Sequence, residues 1–223
     1  LRHNTIFRNT KKYLKSSNVL IFIKNIEEYF GLERNFLINM YDFENILRFK
    51  KIKFSRGPNI NSDENLNFFK NRNEKNFLNT SNIIFKNIFN SNKNFFHVHP
   101  GYMYKIRGCD GTLNSIKNYN KIGATLFLMN NKIDNGKILK RFEKEFIKFN
   151  LPNHFEFSSF DLYNIWFSFF DPALRVSFLS KILDENISLN NFQNIDFNTE
   201  ENNYYKFIKK NELNDLFTNK IFT

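Results

Sequence analysis

Two histidines, His97 and His99, stand two residues apart in the run Phe95-Phe96-His97-Val98-His99, and on a strand that spacing turns both rings to one face. With Cys109 and Asp110 downstream, they offer the nitrogen, sulfur and oxygen donors of a tetrahedral zinc site, although the spacing matches no known zinc module. A histidine beside Cys109 would instead make a thiolate nucleophile. The plainer reading is an aromatic strand with partly exposed histidines, and no metal is assigned. No glycine-rich phosphate loop, nucleophile elbow or cluster of catalytic carboxylates is found, and 7 glycines leave little room for one. The expectation is therefore no enzyme, no cofactor and no small-molecule substrate.

The cations suggest a different chemistry. Lys and Arg number 33 against 22 Asp and Glu, a formal charge of +11 that attracts a polyanion. Lys137, Lys140, Arg141, Lys144 and Lys148 fall at helical spacing and would share one face, where each could meet a backbone phosphate. A second basic run comprises Lys50, Lys51, Lys53 and Arg56. RNA is the expected partner class, with a solvated surface as the plain alternative for either run.

The elements that would carry these residues read as follows. Residues 1–56 form an N-terminal helical region, with Leu32, Phe36, Met40, Phe43 and Leu47 at helical spacing. Residues 57–94 are dominated by Asn, Lys and Ser and read as a weakly ordered loop. Residues 95–158 read as an inserted α/β segment. It holds a hairpin of Phe95 to Val98 and Tyr102 to Ile106 around Pro100-Gly101, a strand at Ala124 to Met129, and a basic amphipathic helix from Gly136 to Phe149. Residues 159–209 read as helix, an Asp171-Pro172 cap, a second helix from Ala173 to Asp184, and short strands at Ile187 to Leu189 and Tyr204 to Ile208. Residues 210–223 form a polar tail. The fold class is α+β.

Composition adds a bias that folding does not require. Asn is abundant, Phe numbers 30, and Ala occurs only at Ala124 and Ala173, which follows AT-rich codons. A mitochondrial, organelle-encoded protein is expected, since the first residues lack the apolar core of a secretory signal and the Arg and Ser enrichment of a transit peptide. No apolar run reaches the ~20 residues of a membrane span, so no membrane association is expected. One cysteine, Cys109, rules out an internal disulfide framework.

The segment Asp161-Leu162-Tyr163-Asn164-Ile165-Trp166 through Ile187-Ser188-Leu189-Asn190 resembles the RNA-binding module of the small-subunit ribosomal protein S-four family, without a gap from Asn164 to Ile187. A shorter echo lies at Tyr29-Phe30-Gly31-Leu32-Glu33-Arg34 through Tyr41. The resemblance implies a structural protein of the small ribosomal subunit, held by rRNA and neighbouring ribosomal proteins, with Arg175 and Lys181 among its RNA contacts. A one-residue slip of the second helix would bury Ile182-Leu183 and make Asn186 a left-handed turn residue. Rival readings are an accessory subunit of an organellar respiratory complex and an RNA-modifying enzyme carrying this module.

Overall fold

The computed structural model describes residues 10–41, 59–81, 83–186, 188–189 and 203–223. Helix α1 (Ser17–Phe30) forms because Val19, Phe22, Ile23, Ile26 and Phe30 share one buried stripe, and it stops at Gly31, whose φ of 65° most side chains resist. A short helix α2 (Phe36–Asn39) follows. The turn between them is fastened by the buried carboxylate of Glu27, which accepts the Asn35 and Leu37 amides at 3.0 and 2.9 Å. The echo at residues 29–41 is thus an internal cap.

The described part of the expected loop, residues 59–81 and 83–94, contains regular structure despite its composition. Helix α3 (Asp63–Lys70) is capped by Ser62, strand β1 (Asn76–Asn79) follows, and a 3₁₀ turn spans Asn87–Ser91. Phe69, Phe77, Phe85, Ile88, Phe89 and Phe95 close into a small aromatic cluster that anchors them. Aromatics spaced too widely to show a period suffice to order a polar segment.

Strands β2 (Asn94–His99), β4 (Lys121–Leu128) and β5 (Lys137–Glu145) join β1 in a mixed sheet of order β1-β2-β4-β5. β1 and β2 run parallel, and the other pairs are antiparallel. The register places Val98, Leu126, Phe142 and Lys144 on one face and His97, His99, Thr125, Phe127 and Arg141 on the other. Between β2 and β4 lie strand β3 (Arg107–Gly108) and helix α4 (Gly111–Tyr119); Leu113 and Ile116 of α4 join the main core. The expected hairpin does not form. Tyr102–Ile106 is a loop tied down by Thr125, whose hydroxyl accepts the Met103 amide at 3.0 Å and donates to the Gly101 carbonyl at 2.7 Å.

The expected basic helix is strand β5. Phe142 and Phe146 lie four apart, a spacing that a helix and a strand both place on one side, while Ile138 turns to the opposite face beside Phe127. A bulge opposite Leu126 and Phe127 lets Ile138 and Leu139 both be buried, which mimics a helical pair. The five cations do not share a face. Lys140 and Lys144 point to the helix-covered side, Arg141 to the other, Lys137 opens the strand and Lys148 lies beyond it.

Nor do the described residues form the expected S-four module. Helix α5 (Ser159–Ile165) continues through a π-helical turn at Trp166–Phe170 into helix α6 (Asp171–Asp184). Asp171 is helical, with φ −60° and ψ −46°, and does not cap a new helix. The wide turn lies just where Pro172, which lacks an amide donor, would break a regular hydrogen-bond ladder. Leu162, Ile165, Trp166, Phe169, Phe170, Ala173, Leu174, Phe178 and Ile182 make the continuous rod a core element. Asn186 is left-handed, with φ 48°, while Leu183 is exposed. Strand β6 (Tyr204–Tyr205) pairs in parallel with β3. Helix α7 (Lys210–Asp215) and a π-helical turn at Leu216–Ile221 bury Leu213, Leu216, Phe217 and Ile221 where a polar tail is expected. The architecture is α+β. Among the described residues no helix is long and apolar enough to cross a membrane.

Candidate active site

His99 ends β2 on the face covered by the 101–106 loop, and its side chain is only 3% exposed. Its Nε2 lies 3.1 Å from the Ile106 carbonyl, which can only accept, so Nε2 carries the proton of the neutral ring. Nδ1 is then a bare lone pair, and it faces Oδ1 of Asp134 at 3.6 Å. Two acceptors confront each other with no proton between them. One proton added there would give an imidazolium donating to the Ile106 carbonyl through Nε2 and to the carboxylate through Nδ1.

Asp134 sits in the turn between β4 and β5 with φ 43°, in the left-handed region that an aspartate tolerates at some cost. It is held there from two sides. Its Oδ2 accepts the Gly108 amide at 2.9 Å, and Arg107 donates to the neighbouring Ile133 carbonyl at 3.1 Å. Gly108 has φ 91°, and an added Cβ would lie 2.3 Å from the Tyr205 carbonyl. Only glycine lets β6 pack close enough to aim this amide at Asp134. Gly101 is needed for a similar reason, because a Cβ there would come within 2.7 Å of Ile106 and 3.0 Å of His99 Nε2.

Burial holds the His99 imidazole below its ordinary pKa; the Asp134 and Asp171 carboxylates oppose this, and the Arg175 guanidinium adds to it. His99 is therefore neutral near pH 7 and able to accept a proton. His97, on the same face, donates from Nδ1 to the Asn79 carbonyl at 2.9 Å. Burial and then Arg175 push its pKa down to about 4. Arg175 itself is committed inward, with Nε 2.9 Å from Asp171 and a guanidinium nitrogen 2.8 Å from the Val98 carbonyl. Asp171 also accepts from Thr112 at 3.2 Å, and Thr112 accepts the Trp166 indole at 2.9 Å, so a buried polar chain runs from the core to β2.

The structure thus brings His97 and His99 to one face, as their spacing predicts, and gives them the Asn79 and Ile106 carbonyls and the Asp134 carboxylate as partners. Asp110 turns away, accepting the Tyr163 hydroxyl at 2.8 Å and the Ile208 amide at 2.9 Å. Cys109 is half-buried and outside any disulfide. Among the described residues no group of three His, Cys, Asp or Glu side chains is arranged to hold a metal ion. Asp134, the residue that completes the pair, carries no signal in the sequence beyond a polar turn ending at Gly136.

The cations assigned to RNA have other uses. Arg175 is the internal clamp just described, Arg141 lies 4.3 Å over the Tyr102 ring, and Lys140 pairs with Glu185 at 2.8 Å. Lys144 sits 3.6 Å over the Tyr29 ring. Lys137, Lys148 and Lys181 are exposed. Lys50, Lys51, Lys53 and Arg56 lie outside the described residues.

No family model matches the chain, and no curated protein matches it by sequence. Solved structures do resemble it. A formyltransferase from Anoxybacillus kamchatkensis, solved with UDP-4,6-dideoxy-4-formamido-L-AltNAc and tetrahydrofolate, is 16% identical over 84% of this chain and 88% of its own, with a TM-score of 0.49. A sugar N-formyltransferase from a Shewanella species is 19% identical over 85% and 73%, with a TM-score of 0.48. Methionyl-tRNA formyltransferase from Clostridium thermocellum is 15% identical over 81% and 71%, also at 0.48. These neighbours are formyltransferases and none is a ribosomal protein. The chain's own fold corrects the expected membership of the S-four family and, with it, the structural role in the small ribosomal subunit with rRNA and ribosomal partners; nor does the expected exclusion of enzymatic chemistry and small-molecule substrates hold, since His99 and Asp134 meet in a buried site. The S-four module needs a turn at Asp171-Pro172 that the chain does not make. Local motifs do not reveal the His99–Asp134 site, which is assembled from residues far apart in sequence.

Proposed function

We propose that the chain is a group-transfer enzyme in which His99 and Asp134 accept the proton of an amine as it attacks a carbonyl. The observation that carries this reading is the buried, unprotonated Nδ1 of His99 facing the Asp134 carboxylate across 3.6 Å. Acyl transfer to an amine needs such a group. The amine nitrogen forms a bond to the carbonyl carbon, its proton passes to the His99–Asp134 pair, and the bond from that carbon to the donor nitrogen breaks as the donor takes up a proton. A neutral imidazole can take the proton, and the carboxylate stabilises the imidazolium formed. Asp134 is the more exposed member at 14%, so substrate would approach from its side.

The transfer to test first is of a formyl group, the reaction for which the proteins of similar structure are named. A formylated tetrahydrofolate would supply the one-carbon group when bound. The His99–Asp134 pair fits that role, since it offers an acceptor site where the amine must lose a proton. The test is incubation of the protein with 10-formyltetrahydrofolate and a panel of primary amines, including dTDP-3-aminofucose, a ligand in one of the structurally similar proteins. Amine-dependent release of tetrahydrofolate is the expected result. Its absence across amino sugars, aminoacyl esters and simple amines would remove the formyl reading.

A further inference from the structure

On the opposite face of the sheet from His99, a hollow of about 200 Å³ opens between β5, α6 and the end of α1. Tyr29, Phe30, Phe142 and Phe178 make its walls, with the Phe142 and Phe178 rings 4.9 Å apart. Three ammonium groups, from Lys140, Lys144 and Lys181, line it with a single carboxylate, Glu185. Glu185 is taken by Lys140 at 2.8 Å. Lys144 and Lys181 are left with no carboxylate in the hollow.

A surface lysine ordinarily extends its ammonium into water. Lys144 instead lays its charge 3.6 Å from the centre of the Tyr29 ring and 5.3 Å from that of Phe30. Partial burial and then the nearby Lys181 charge lower the affinity of Lys144 for its proton. Two like charges gathered against aromatic walls repel each other, and an anion between them would relieve that repulsion. We propose that this hollow is a binding site for a small phosphorylated ligand, its phosphoryl group held by Lys144 and Lys181 and its short organic part against Phe142 and Phe178. The volume is below that of ordinary drug-sized pockets, ~300 Å³ and above, which suits one phosphoryl group with a small apolar arm. Because the site lies across the sheet from His99, it does not depend on the reaction proposed there.

The test is isothermal titration of the full chain with phenyl phosphate and with inorganic phosphate at low salt, alongside the variants Lys144→Gln, Lys181→Gln and the control Lys148→Gln. Phenyl phosphate should bind with one-to-one stoichiometry and more tightly than inorganic phosphate. Either hollow variant should weaken it at least tenfold, and the control less than twofold. Ring resonances of Phe142 and Phe178 should shift on titration with phenyl phosphate in the wild type. No binding, equal weakening by Lys148→Gln, or binding with unmoved ring resonances would each overturn the proposal, the last two marking a non-specific response to net charge.

Discussion

The carboxylate of Asp134 is shared between His99 Nδ1, 3.6 Å from Oδ1, and the amide of Gly108, 2.9 Å from Oδ2. This sharing fixes which oxygen meets the imidazole. Asp134→Asn keeps the shape and removes the charge that favours imidazolium. His99 should then become harder to protonate, and the rate of amine formylation should fall about 100-fold or more. Titration of the His99 ring nitrogens by NMR checks the first effect independently of turnover.

Arg175→Ala should destabilise the fold by about 3 kcal/mol, because it leaves the buried Asp171 carboxylate and the Val98 carbonyl short of their donor. Urea unfolding measures this. An exposed phosphate-binding arginine, the role implied by the ribosomal resemblance, would give a change within ~0.5 kcal/mol.

Thr112→Val is nearly isosteric and should cost about 2–3 kcal/mol, since the Trp166 indole and one Asp171 oxygen lose a buried partner. Trp166 fluorescence should shift in the same variant, and thermal unfolding gives the stability.

Acid should weaken the fold through His97. Its folded pKa of about 4 lies below the ordinary value of 6.5, so between those values the unfolded chain binds more protons than the folded one. Stability should fall as pH drops from above 6.5 towards 4 and level off below. The loss is on the order of 3 kcal/mol at ~1.4 kcal/mol for each pH unit of that window. His97→Gln should flatten part of this slope, and denaturant unfolding at a series of pH values reads it directly.

How far the sequence discloses this arrangement depends on whether the signal is local. The strand at Ala124 to Met129 is legible as a continuous apolar run and forms most of β4, whereas the residues at helical spacing from Leu32 onward lie beyond α1, which ends at Phe30. Strand β5 is not legible: Phe142 and Phe146 satisfy two periods at once, and the bulge sets Leu139 on their side while Ile138 is buried on the other. Asp171-Pro172 has the look of a helix start, yet the π-helical turn before it lets one rod continue. The two histidines stand out by type and spacing, but the chemistry they suggest changes once their neighbours are known. Asp134 reaches His99 only because β4 and β5 pair, and no local pattern announces that contact. Net charge is a poor guide to partners here, since Arg141, Arg175 and Lys140 are engaged within the fold.

If His99 and Asp134 accept the proton in a formyl transfer, turnover needs both. The most direct measurement is the amine-dependent release of tetrahydrofolate from 10-formyltetrahydrofolate by wild type, His99→Gln and Asp134→Asn, with each variant's melting temperature recorded. Transfer by the wild type and a loss of at least 100-fold in both variants, at unfolding temperatures within a few degrees of wild type, is the predicted result. Wild-type rates in folded His99→Gln protein would contradict that role for His99.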